Sequence, residues 1–263
     1  MTAPGQAREA QQTRNVGCYV YGILPGDVEL TPDARGLRDG DVDLVRHGDI
    51  AALVSDIDLG GPIGRPEDLT AHERLLDDAA VEVPVLPLRF GAVLASREAV
   101  EQELLAANHD QFLAALDEIE GRVEYVVKGR YEERAVLREI IAENPDAASL
   151  LEQIRDRPEE LTRDARIRLG QFIEQAISAK RDADTQWAAQ ALAEYSQASV
   201  PRRPTHPEDA VQVAFLVETD RRSEFEKAVA KIAEEWQGRV GLRLLGPMAP
   251  YDFIVTPAPG PGG

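Results

Sequence analysis

The 263-residue chain predicts an α+β protein built as two units. Two observations carry that prediction. Short apolar runs with strand-like alternation, bounded by Gly and Pro, trade places with tracts whose apolar residues recur every three or four positions. This succession occurs once over residues 16–130 and again over 210–256, on either side of a long helical tract. The two passages show no repeat at the level of letters, and the length leaves room for two modest domains.

In the first unit, GCYVYGIL (Gly17 to Leu24) alternates aromatic and β-branched residues before Pro25-Gly26, a strand and a turn. Leu44 to Arg46 and Ile50 to Ile57, joined by His47-Gly48-Asp49, predict a hairpin. Thr70 with Glu73 three residues on has the form of a capping box and predicts a helix over Ala71 to Val81. VPVLPLRFGAVL, Val83 to Leu94, follows as a proline-broken strand. Ser96 then caps a helix through Ile119 that keeps Val100, Leu104, Phe112, Leu116 and Ile119 mostly on one face. RVEYVVKG, Arg122 to Gly129, closes the unit as a last strand. Such an order predicts helices on one face of an antiparallel or mixed sheet, of the split βαβ kind.

The second unit, 131–256, opens with helices over 131–198, broken at Asn144-Pro145 and near Pro158, the longest running from Glu159 to Gln197. VPRRPTHPED, Val200 to Asp209, has the composition of a linker. A strand (VQVAFLVET), a helix marked by Phe225, Val229, Ile232 and Trp236, a strand (RVGLRLLGPM) and a final YDFIV strand complete a βαββ unit over 210–256. Residues 1–15 and 257–263 lack side chains to bury and are expected to be disordered tails.

Composition excludes several functions. With 47 acidic against 29 basic residues, the charge of −18 disfavours attraction to nucleic acid or an anionic membrane. Cys18 is the only cysteine, so no intrachain disulfide or thiolate-rich metal site is expected, and the reducing cytoplasm is the natural compartment. No secretory signal or run of about 18 apolar residues is present. Walker, G-x-S-x-G, G-x-G-x-x-G and H-E-x-x-H patterns are absent. His47, His72, His109 and His206 have no partner at ligand spacing and predict surface or capping histidines. No catalytic residue, cofactor or metal is therefore predicted, and the chain is not expected to be an enzyme.

The strand Val83–Leu94 carries the remaining signal. Prolines three apart remove ladder donors on opposite sides, so Pro84 is expected at the strand entrance and Pro87 facing an unpaired side. An edge strand guarded by proline resists unwanted pairing. It also offers a docking rim, with Leu86, Leu88 and Phe90 meeting a partner while Arg89 forms an ion pair.

AHERLLDDAAVEVPVLPLRFGAVL, RIRLGQFIEQAISAKR (Arg166 to Arg181), the terminal course from VQVAFLVET to GPMAPYDFIV, and CYVYGIL together resemble the GvpF/GvpL family of gas vesicle accessory proteins. Met248-Ala249 is a departure, at a place where a bulky aromatic is expected after Gly-Pro. The resemblance implies an N-terminal ferredoxin-like domain and a C-terminal domain of helices plus a modified ferredoxin-like sheet. It further implies a non-enzymatic role in assembling the buoyant, gas-filled shell, in contact with the hydrophobic main shell subunit and other accessory proteins. A second candidate rim comprises Pro247, Pro250, Tyr251 and Phe253. The alternative function, from a different class, is a regulatory protein sensing a small molecule through its paired ferredoxin-like units.

Overall fold

A computed structural model describes residues 16–61 and 63–254. Among these, the chain divides into two compact units, 16–118 and 119–254. The expected tails lie outside the described residues.

The first unit is an antiparallel sheet in the order β2-β3-β1-β4, with β5 also on β1. Strands β1 (Val16–Pro25), β2 (Asp43–His47) and β3 (Ile50–Asp58) are followed by helix α1 (Pro66–Ala80) and the short β4 (Leu86–Pro87) and β5 (Val93–Leu94). A helical tract closes it: α2 (Arg97–Ala99), a π-helical stretch over Val100–Ala106, and α3 (Ala107–Ile119). The hairpin and the Ser96 cap form as expected, the Ser96 hydroxyl accepting from the Ala99 amide. Val100, Leu104, Phe112, Leu116 and Ile119 are all buried.

Two expectations change here. Helix α1 starts at Pro66, five residues before the predicted start. Proline presets the first helical φ, and the Asp68 carboxylate accepts the Gly64 and Arg65 amides at 3.3 Å, so Asp68 satisfies the free donors that Thr70 and Glu73 were expected to satisfy. Thr70 instead donates back to the Pro66 carbonyl at 3.1 Å. Secondly, consecutive residues Ile50 to Val54 of β3 and Tyr19 to Leu24 of β1 are buried. Neighbours on a strand point to opposite sides, so both faces of the central strands are covered, not one. Gly22 admits this closeness on β1, since a Cβ there would lie 2.8 Å from the Leu86 carbonyl oxygen.

The second unit is an antiparallel sheet in the order β7-β8-β6-β9. Its elements are β6 (Arg122–Tyr131), α4 (Glu133–Glu143), α5 (Pro145–Ile154), α6 (Glu159–Ala191), β7 (Ala198–Pro201), β8 (Asp209–Glu218), α7 (Arg222–Glu235) and β9 (Val240–Met248). Strand β6, expected to close the first unit, is instead the centre of this sheet, paired from Arg122 with Glu218 onward to β8 and on its other side to β9. Its Val123, Tyr125 and Val127 share one face and enter a core with Phe215, Phe225 and Ile140. Each such side chain taken from water contributes roughly 1.5–3 kcal/mol.

The proline-rich 200–209 segment is not a free linker. Ala198–Pro201 pairs with β8 as an edge strand, where missing amides cost nothing. The following turn folds onto Asp209, whose buried carboxylate accepts the Thr205 and His206 amides at 2.7 and 2.8 Å. Arg181 of α6 donates to the Pro207 and Asp209 carbonyls. Nor do the described residues of YDFIV, 251–254, form a strand; Tyr251–Phe253 is a turn.

Arg239, in the turn just before β9, joins these layers. Its guanidinium donates to Glu139 of α4 at 2.9 Å and to Asp184 of α6 at 2.8 Å, and lies 5.6 Å from the Tyr131 ring centre. Lys180 reinforces Glu139 at 2.6 Å. Arg239→Ala is expected to lower unfolding free energy by about 1.5–3 kcal/mol in urea titration, because two partly buried carboxylates lose a charged donor. Arg239→Lys should recover only part of that, since an ammonium lacks the planar fork.

Candidate functional site

Each candidate rim lies on an edge strand of its own sheet, β4/β5 in the first unit and β9 in the second. On the first, Leu86 and Pro87 pair with Ile23 and Gly22. The Leu88 amide then donates to the Tyr21 carbonyl at 2.9 Å. Amide directions alternate along a strand, so the Pro87 nitrogen faces away from the sheet. Proline supplies no donor on that side, and Pro84 precedes the strand as predicted.

After Leu88 the chain leaves the sheet, turns at Gly91 (φ +93°) and returns with the Ala92 carbonyl accepting from Val20 at 2.9 Å. A buried bridge holds this excursion. The Tyr19 hydroxyl lies 3.0 Å from His72 Nδ1 and accepts the Gly91 amide at 3.1 Å, while His72 Nε2 lies 3.2 Å from the Leu88 carbonyl oxygen. A carbonyl only accepts, so Nε2 carries the proton and Nδ1 accepts from the tyrosine. Phe90 closes the assembly, its ring centre 5.6 Å from that of His72 and 6.0 Å from that of Tyr19.

The predicted docking residues therefore separate. Leu86 and Leu88 are 1% and 2% exposed and belong to the core, which corrects their assignment to the rim. Two residues apart, they share one face of the strand, and the neighbours Val85 and Pro87 are buried as well, so both faces are covered. Phe90 is half-buried, and Arg89 projects into solvent. His72, expected at the surface, is buried at 1% exposure.

The second rim is built differently. Ala249 and Pro250 are buried, and Pro247, Tyr251 and Phe253 are half-buried. The turn is tied to β6, where Glu124 accepts the Asp252 amide at 2.9 Å and Arg202 lies 3.4 Å from the Asp252 carboxylate. Glu124, Asp252, Tyr19 and the role of His72 escaped the sequence reading. The one visible signal was an acid amid the apolar residues of RVEYVV; its partner lies 128 residues away.

Burial pushes the His72 imidazole down to about 4, against a smaller upward effect of the Leu88 carbonyl. Burial raises Glu124 to about 8, with the Asp252 amide opposing and the Asp252 carboxylate adding to the rise. Burial also drives the Cys18 thiol up to about 11, which leaves it unreactive at neutral pH. Among the described residues no group of three or more His, Cys, Asp or Glu is placed to hold a metal, and no helix is long and apolar enough to cross a membrane.

Two antiparallel sheets, each carrying helices, define the class as α+β. The sequence matches the family model for "Gas vesicle synthesis protein GvpL/GvpF" over residues 17–255, and the chain belongs to that family. It is 32% identical to gas vesicle protein F of Streptomyces sp. (strain CB03234) over 90% of this chain and 98% of that one. It is 30% identical to gas vesicle protein L of the same organism, over 89% of this chain and 91% of that one. The crystal structure of GvpF from Anabaena sp. PCC7120 superposes with a TM-score of 0.76 at 25% identity, covering 89% of this chain and 96% of that chain. GvpF from Microcystis aeruginosa shares the fold, with a TM-score of 0.74 at 22% identity over 90% of this chain and 98% of that one.

Leu88→Ala should cost about 2–5 kcal/mol of stability, while Arg89→Ala should change it by less than about 0.5 kcal/mol; chemical denaturation separates them. The two shifted groups titrate with opposite sign. His72 lies below its ordinary 6.5, so its contribution is complete above pH 6.5 and lost as pH falls toward 4. Glu124 lies above its ordinary 4.5, so its contribution is complete below pH 4.5 and lost as pH rises through about 8. Melting temperature measured across this range should fall on both limbs, and Glu124→Gln should flatten the alkaline one.

Proposed function

We propose that this chain is an assembly adaptor for gas vesicles. It binds the hydrophobic main shell subunit and other accessory proteins at its sheet borders, holds the subunit dispersed, and performs no bond chemistry of its own. The observation that carries this reading is the family match across residues 17–255 together with relatives named gas vesicle protein F and L. Charge supports it physically, since a body at −18 repels its own copies and keeps an attached apolar partner from coalescing. The rims support it too: Arg89 and Phe90 stand on an edge that proline has closed to further strands, so contact there is made through side chains. On this reading the protein works in the cytoplasm and accompanies or enters the vesicle.

The finer architecture belongs to the same proposal. Each unit carries a ferredoxin-like sheet, the second modified by the long helices of its first crossover, and the shared order of second, third, first and fourth strand favours that assignment.

Co-expression with the shell subunit tests the role. The native chain should keep the subunit in the supernatant and copurify with it at moderate salt, and Arg89→Glu should reduce the recovered subunit at least about threefold. Subunit that pellets regardless, with no copurification, contradicts the adaptor role.

A further inference from the structure

The two sheets share one strand order but not one set of helices. In the second unit the first crossover, β6 to β7, carries α4, α5 and α6, and α6 packs on β8 while α7 fills the second crossover. The first unit has α1 in its second crossover, but its first crossover, 26–42, holds only a single turn of 3₁₀ helix at Leu37–Asp39. No helix of the first unit corresponds to α6.

At that place lies a cavity of about 880 Å³, bounded by the 26–42 crossover and α1. Leu24 of β1 and Leu53 of β3 form part of its wall, β3 being the counterpart of β8. Leu75, Ala79 and Val83 supply apolar surface from α1 and its end, and Val28 and Leu30 from the crossover. A cylinder about 10 Å across and about two helical turns long has a volume of this order. The rim is acidic: Glu29, Asp33, Asp39, Glu67, Asp78 and Glu82 face Arg35 and Arg74. Arg74 is occupied with Asp78 at 3.6 Å, so the excess of negative charge rests on the other acids.

We propose that this groove receives an amphipathic helix from a partner protein, its apolar face against the half-buried Val28 and Ala79 and its polar face rich in Lys or Arg. The inference rests on the adaptor reading for the partner's source, and on the groove for its chemistry. An apolar floor alone would accept any greasy segment; the acidic rim selects a basic one and rejects an acidic one. The donated helix completes the layer that α6 completes in the second unit.

The probes are two labelled helical peptides of about four turns with the same Leu/Ala face, one carrying Lys and the other Glu on its polar face. Fluorescence anisotropy with the full chain should show saturable binding of the Lys peptide and at least about tenfold weaker binding of the Glu peptide. Glu29→Lys with Glu82→Lys, both exposed, should weaken the Lys peptide at least about tenfold, and Ala79→Trp should abolish its binding by filling the groove. Circular dichroism melting confirms that each variant is folded, and the charge variant carries the test if Ala79→Trp does not fold. Equal binding of both peptides, or no effect of the double variant, overturns the proposal. A change in sedimentation of the chain alone on Glu29→Lys/Glu82→Lys also overturns it, assigning the groove to a second copy. Copurification of the shell subunit without Lys-peptide binding defeats the groove and leaves the adaptor reading intact. Lys-peptide binding without copurification does the reverse.

Discussion

The first unit depends on how the border of its sheet is closed. Leu88 and Ala92 each return one hydrogen bond to β1, and between them three residues leave the sheet altogether. That departure would leave backbone groups unsatisfied in an apolar setting, at a cost of about 1–3 kcal/mol each. The Tyr19–His72 bridge removes the cost by accepting the Gly91 amide and donating to the Leu88 carbonyl. Because the bridge needs one protonated and one bare imidazole nitrogen, it requires a neutral His72, which burial secures. The result is an edge that ends in a side-chain surface rather than a ladder.

That arrangement joins stability to the proposed role. Proline removes the outward donor at position 87, and the excursion lifts Arg89 clear of the core that Leu86 and Leu88 complete. A protein that meets an aggregation-prone partner gains from interrupting the ladder at this edge, since an open edge would template the pairing it must prevent. The strong negative charge works in the same direction at longer range. In the second unit the 249–254 turn follows β9 and is tied to β6 through Glu124.

Much of this order was legible from periodicity. Strand β1, the hairpin, the Ser96 cap, the Asn144-Pro145 break and α6 each rest on local spacing, and local spacing is what a sequence displays. What escaped was set by partners far away along the chain. β6 alternates as any strand does, and nothing in RVEYVVKG says which sheet it joins. The α1 start hid because Asp68, not Thr70, satisfies the free amides. β7 was disguised by proline, which is permitted on an edge, and His72 by its place near a helix start, where tertiary burial cannot be seen. Leu86 and Leu88 were assigned to a rim because two prolines implied an exposed edge; the edge exists, but its side chains point inward.

The central claim is that a shell-type partner meets the chain on the borders of the first unit, and hydrogen exchange of the full chain with and without copurified shell subunit tests it most directly. The account predicts slowed exchange concentrated at the Arg89–Gly91 excursion and the 26–42 crossover, with α6 and the β6 core unchanged. Protection confined to α6, or absent throughout a complex that demonstrably forms, would contradict it.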